Sequence, residues 1–158
     1  MNIFVLDEDP SVAAYYMCDK HINKMILESA QMMCTVARWN GFEAPYREAF
    51  GHHPCTIWAG ATNKNWQWLA DHALAMINER RRRGYDSDHK SAQVIWRCIM
   101  SKAIPDEGPL TPFAQAMPEQ YKVKGDAVRA YRQYYIHEKA RFAKWRAGNV
   151  PNWWPHGY

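Results

Sequence analysis

Apolar side chains recur every three or four positions along most of this chain, a spacing that predicts helices. After a short apolar opening, Met1 to Leu6, the run Asp7-Glu8-Asp9-Pro10-Ser11 supplies acids, a proline and a capping hydroxyl where a helix begins. The first helix is expected from about Ser11 towards Trp39, interrupted near Cys18-Asp19 and stopped by Asn40-Gly41. Phe42 to Gly51 reads as a loop, and His52 to Gly60 as a compact turn carrying two imidazoles and Trp58. From Asn63 the spacing of Trp66, Leu69, Ala73, Met76 and Ile77 predicts a helix ending in Arg80-Arg81-Arg82-Arg83-Gly84. Another is expected from Asp88 to about Lys102, burying Val94, Ile95, Cys98 and Ile99. Ile104 to Pro118 holds four prolines and a glycine, which rules out a long helix and predicts an ordered surface loop of functional length. The last long helix is expected from Asp126 to Arg146, before a proline-bounded aromatic tail from Pro151 to Tyr158. No segment sustains strand alternation and no repeat is present. Residues 1–158 therefore read as a single all-α domain with three long helices, a Pro-rich loop and an aromatic C-terminal tail.

The chain is organised around Asp19 to Gln31. On that helix Lys20, His21, Asn23, Lys24, Glu28 and Gln31 gather along one side, while Ile22, Met25, Ile26, Ala30 and Met33 supply the buried one. A cation, an imidazole, a carboxylate and an amide thus come within reach of one ligand. The structural alternative is an exposed amphipathic helix on which Lys24 and Glu28 form an ordinary ion pair.

Composition sharpens this picture in two ways. Aromatics make up 14% of the 158 residues, with eight Trp and nine Tyr, and they stand beside 20 Lys and Arg. Rings and cations together suit a surface that stacks on bases and neutralises phosphates, although a net charge of +4 permits nucleic-acid binding without demanding it. The four arginines from Arg80 to Arg83 cannot all pair with sequence neighbours, so a phosphate-binding knob competes with helix-dipole complementarity as their role. No apolar run has the length of a membrane span and the N-terminus lacks the order of a signal peptide, so a cytoplasmic protein is expected. Cys18, Cys34, Cys55 and Cys98 are scattered and form no Cys-x-x-Cys pair, which predicts reduced and mostly buried thiols.

Several chemistries lose their sequence support. There is no Gly-rich phosphate loop, no Gly-x-Ser-x-Gly elbow and no His-Glu-x-x-His helix. Cys18-x-x-His21 and His52-x-x-Cys55 contain the right atoms for tetrahedral zinc, but one pair sits in a helix and the other around a proline. No metal and no cofactor is expected.

Three stretches then carry a resemblance. Asp19-Lys20-x-x-x-Lys24-x-x-x-Glu28-x-x-Gln31 resembles the active-site helix of the phage pyrimidine-dimer DNA glycosylases of the endonuclease V type and their relatives. The stretch from His53-Pro54 through Trp68-Leu69 to Arg83-Gly84-Tyr85 is similar to their central segment, and Glu138-Lys139 with Pro151-Asn152-Trp153-Trp154 is similar to their aromatic end. The resemblance implies an all-α fold that bends duplex DNA, exposes a base and cleaves its glycosidic bond through an imine formed by an amine, with a carboxylate assisting. The family's nucleophile is an N-terminal α-amine uncovered before a small residue; here Met1 precedes the larger Asn2, so Met1 itself would offer the amine. Glu28 also lies later along its helix than the family's glutamate.

The expected catalytic set is Glu28, Lys24, His21 and Met1: carboxylate, candidate amine, proton donor and candidate α-amine. Lys20, Arg80, Arg81, Arg82, Arg83, Gln31, His53 and Trp58 are the expected DNA contacts. The expected partner is double-stranded DNA with a damaged or modified pyrimidine, met by a monomer in a phage-infected or bacterial cell. Two other functions remain open, a transferase that decorates a modified base on the same scaffold and a noncatalytic nucleic-acid-binding module.

Overall fold

A computed structural model describes residues 1–157; Tyr158, the end of the expected tail, lies outside the described residues. Six α-helices and one 3-10 turn account for the regular structure, and no strand occurs among the described residues. The helices are α1 (Pro10–Tyr16), α2 (Asp19–Trp39), α3 (Pro54–Ala61), α4 (Asn63–Arg82), α5 (Ala92–Met100) and α6 (Ala127–Glu138), with the 3-10 turn at Glu119–Tyr121.

The helix starts follow local chemistry. The Asp9 carboxylate accepts from the amides of Ser11 and Val12 with Pro10 in the first turn, and the Thr62 hydroxyl accepts from Asn65 N. Extended Met17 and Cys18 make the break between α1 and α2. That break lets α1 fold back onto α4 while α2 runs through the middle of the molecule against α3, α4 and α5. Central placement explains the second half of α2, where every residue from Met32 to Ala37 is buried. All four cysteines are buried and free.

Three elements differ from the periodic pattern. His52 to Gly60 is no mere turn: Pro54 opens α3, and His53 caps it by accepting from Cys55 N through Nδ1 at 3.1 Å. α5 begins at Ala92 because Asp88 is held by Arg81 and His89 Nδ1 accepts from Ser91 N, local bonds that compete with a helix. α6 stops at Glu138, eight residues short of Arg146. Its apolar spacing continues, but Trp145 is buried instead against α1, with its indole N–H donating to Tyr16 O at 2.9 Å and its ring edge-on to Trp154. Tertiary burial of one large ring outweighs the propensity of a helical turn.

The Pro-rich segment is an ordered loop, as its four prolines and glycine predicted. Buried Asn65 holds it, accepting from Thr111 N at 2.9 Å and donating to Thr111 Oγ1 at 2.7 Å. Gly108 lies so close to Thr62 that an added Cβ would meet Cγ2 at 2.8 Å. Among the described residues no helix is long and apolar enough to cross a membrane.

Candidate active site

The N-terminal segment brings the α-amine to the polar stripe of α2. Asn2 to Leu6 are all buried and Met1 is half-buried. Asn2 anchors it: Oδ1 accepts from the amides of Ile3 and Phe4, and Nδ2 donates to Ala116 O of the Pro-rich segment at 2.8 Å. Phe4 takes a left-handed backbone, φ +42, and its ring stacks on His21 at 4.3 Å between centroids. Held this way, the Met1 α-ammonium lies 2.6 Å from Glu28 Oε1 on α2.

Glu28 is 7% exposed, and its other oxygen, Oε2, is buried with no hydrogen-bonding partner in the protein. A buried carboxylate oxygen left open is costly and calls for an explanation outside packing. The ion pair that α2 offers locally, Lys24 with Glu28, is not formed: Glu28 takes the α-amine instead. Beside them, burial first and the Met1 ammonium second hold the His53 imidazole below its ordinary range, against the opposing pull of Glu28. Neutral His53 uses Nδ1 to accept from Cys55 N, which leaves the proton on Nε2 as a donor. The Cys55 thiol is pushed up to about 12 by burial and stays protonated.

His21 is not available as the expected proton donor. It is buried, bonded through Nδ1 to the Tyr135 hydroxyl at 2.6 Å, and lowered to about 3 by burial and then by Lys139, Lys24 and Lys20. It is a neutral floor beneath Phe4. Those three lysines have no carboxylate partner among the described residues, and Lys20 and Lys139 lie over the Phe142 ring at 4.4 and 6.0 Å. Together with Lys24, one turn before Glu28, they form the positive rim of the site. Lys139 belongs to this rim through tertiary structure, although Glu138-Lys139 already stood among the resembling stretches. Replacing Lys20, Lys24 and Lys139 together with Gln is expected to weaken duplex binding and flatten its dependence on salt by up to about three phosphate contacts. An unchanged salt slope in a binding titration would refute that role.

The arginine run lies elsewhere, and each of its members has a polar partner within the protein. Arg80 donates to Asn23 Oδ1 and Ser87 O, Arg81 pairs with Asp88, Arg82 with Glu79, and Arg83 with both Glu79 and Asp19. Arg83 is buried, tying α4 to the head of α2. Trp58 is also interior, its N–H directed to Thr111 O and its ring against Trp68 and Phe113. Gln31 lines a groove of about 470 Å³ with Leu27, Pro45, Tyr46, Arg47 and Ala49, next along α2 from Glu28. Cys18-His21 and His52-Cys55 do not combine; among the described residues no three His, Cys, Asp or Glu side chains gather as metal ligands.

A family of pyrimidine dimer DNA glycosylases is matched by residues 1–93 of the chain, more than half of its length. The chain belongs to this family. The matched residues contain Met1, Glu28, His53 and the whole of α1 to α4. Lys139, α6 and the aromatic tail follow the matched part. No curated protein and no solved structure is matched by the chain.

Buried neutral histidines in this fold make its stability depend on pH. His21 is lowered to about 3 and His72, bonded through Nδ1 to Pro10 O, to about 4, both chiefly by burial. In the unfolded chain each titrates near 6.5. The unfolded state therefore takes up protons that the folded state refuses, so the stabilisation is complete above about pH 6.5 and is lost as pH falls towards 4 and then 3. Together they are worth on the order of several kcal/mol. Urea midpoints are expected to fall between pH 7 and 4.5, and more shallowly in His72→Gln; a midpoint constant over that range would contradict both assignments.

Proposed function

We propose that the protein is a DNA glycosylase that removes a damaged or modified pyrimidine from double-stranded DNA, using the α-amine of Met1 as nucleophile and Glu28 as the proton-transferring carboxylate. The observation that carries this reading is the 2.6 Å contact between Met1 N and Glu28 Oε1 inside a buried N-terminal segment. A carboxylate at that distance can take the ammonium proton, leaving a neutral amine able to attack.

Attack at the sugar C1′ forms a C–N bond and breaks the bond to the base. The base leaves with the electron pair and collects a proton from protonated Glu28, while the Nε2–H of neutral His53 can donate a hydrogen bond to it. Opening of the sugar ring then gives an imine between C1′ and Met1. From that imine, removal of a C2′ proton can expel the 3′ phosphate, so strand cleavage follows from the same amine and the activity includes that of an AP lyase. Lys24 contributes charge rather than attack in this reading, because Glu28 contacts the α-amine and not the lysine. Lys20, Lys24 and Lys139 bind the phosphates that flank the target, and Gln31 faces the groove beside it. Taking the target nucleotide out of the stack is a geometric requirement, since C1′ of a stacked nucleotide cannot reach an amine within the protein.

The test is incubation with duplex DNA carrying either one thymine dimer or a hypermodified pyrimidine, followed by mass analysis of released bases and by borohydride reduction. Base release with a covalent adduct mapping to Met1 supports the proposal. An altered nucleoside with its glycosidic bond intact would point to a transferase, and unchanged DNA in every sample would leave a binding module.

A further inference from the structure

The segment between α2 and α3 has no regular structure yet is fixed along its length. Thr35 Oγ1 donates to Ala49 O at 2.9 Å and accepts from Ala49 N at 3.0 Å, Arg38 donates to the carbonyls of Ala44 and Tyr46, and Trp39 Nε1 donates to Glu48 at 3.0 Å. On the far side His53 N donates to Phe50 O at 3.0 Å, and His53 caps α3. Phe50 sits between these two anchors. Its backbone is left-handed, φ +54, a conformation that a bulky side chain rarely adopts, and the residue is 55% exposed. Its ring has no aromatic or cationic partner among the described residues, so packing explains neither the strain nor the exposure.

Its surroundings suit an opened base stack. Trp39 forms an apolar floor beside Phe50, its ring so close to Gly51 and Gly60 that an added Cβ would meet it at 3.3 and 2.8 Å. Ile57, one turn before Gly60 on α3, is a further exposed apolar side chain, at 53% exposure. Arg47 is exposed three residues before Phe50 and has no carboxylate partner among the described residues, which supplies a cation for a neighbouring phosphate. Three residues after Phe50 comes His53, beside the Met1 and Glu28 pair.

We propose that Phe50 is a wedge that enters the DNA base stack next to the extruded nucleotide, with Trp39 and Ile57 as the apolar shoulder behind it. Extruding a nucleotide leaves a gap that exposes two base faces, and an apolar ring filling it holds the opened state. A left-handed backbone pinned on both sides directs the ring outward before DNA arrives, so no ordering cost falls on binding. The inference rests on the glycosylase reading above.

The experiment uses the full chain carrying Glu28→Gln, which holds DNA without processing it, and a duplex with 2-aminopurine beside a tetrahydrofuran abasic analogue. Saturating protein is expected to change 2-aminopurine emission at least twofold. Adding Phe50→Ala is expected to abolish that change at saturation, and Phe50→Leu to restore part of it, with unaltered circular dichroism in both. An emission change that is the same with and without Phe50→Ala, or none despite binding, overturns the wedge and leaves base release by the native chain untouched. Failure to bind the duplex at all, together with no base release, overturns the glycosylase reading and the wedge with it.

Discussion

Glu28→Gln is expected to lower the rate of base release by roughly 10²–10⁴-fold, the range that a positioned proton-transfer group contributes. The substitution keeps the shape of the side chain and its contact with Met1 but removes its ability to take the ammonium proton. Duplex binding is expected to survive, because the proposed phosphate contacts are Lys20, Lys24 and Lys139 rather than Glu28. The Met1 ammonium, on a half-buried residue, loses its counter-charge, so stability falls as well, and release must be measured at a temperature where circular dichroism shows the variant folded. A folded Glu28→Gln variant that releases base at the native rate would remove Glu28 from the mechanism.

Adding a single glycine before Met1 is expected to be at least as damaging. It moves the free amine by up to about 3.8 Å, one Cα spacing, and turns the nitrogen facing Glu28 into an amide without nucleophilic character. Misplacement by 1 Å already costs about 10²-fold in well-oriented reactions, and here the nucleophile itself is lost. Base release should drop more than about 10²-fold and the borohydride adduct should vanish. Retention of the adduct, mapped to Lys24, would make the lysine the nucleophile. The outcome for the mature protein follows from the same geometry: Asn2 is fixed by its bonds to Ile3, Phe4 and Ala116, so its own nitrogen stands one residue back from Glu28. Intact-mass measurement of the active protein should accordingly find Met1 present.

Much of the fold was legible in the chain. Helical spacing, the Asp9-Pro10 start and the break at Cys18 located α1 and α2, and four prolines kept the segment after Lys102 out of any helix. The polar stripe on α2 drew attention to Glu28. Errors arose where a local pattern met a distant partner. Trp145 left its helical register to bury against Tyr16. Arg80 and Arg83 found Asn23 and Asp19 once α2 and α4 were packed, whereas Arg81 and Arg82 pair locally with Asp88 and Glu79. His21 sits on the polar stripe by spacing but is roofed by Phe4 and Tyr135, residues 17 positions before it and 114 after it.

The sequence by itself determined which segments are helical, where they start, and that one face of α2 carries a carboxylate among cations, because periodicity, capping and backbone restriction act over a few neighbouring residues. Tertiary structure alone decided which of those groups are charged, paired or in reach of one another. It set the N-terminus against Glu28, made His21 neutral, tied Arg80 and Arg83 to α2 and left Lys20, Lys24 and Lys139 without carboxylate partners among the described residues. Ionisation and reach depend on desolvation and on distances of a few ångströms through space, and segments far apart in the chain set both.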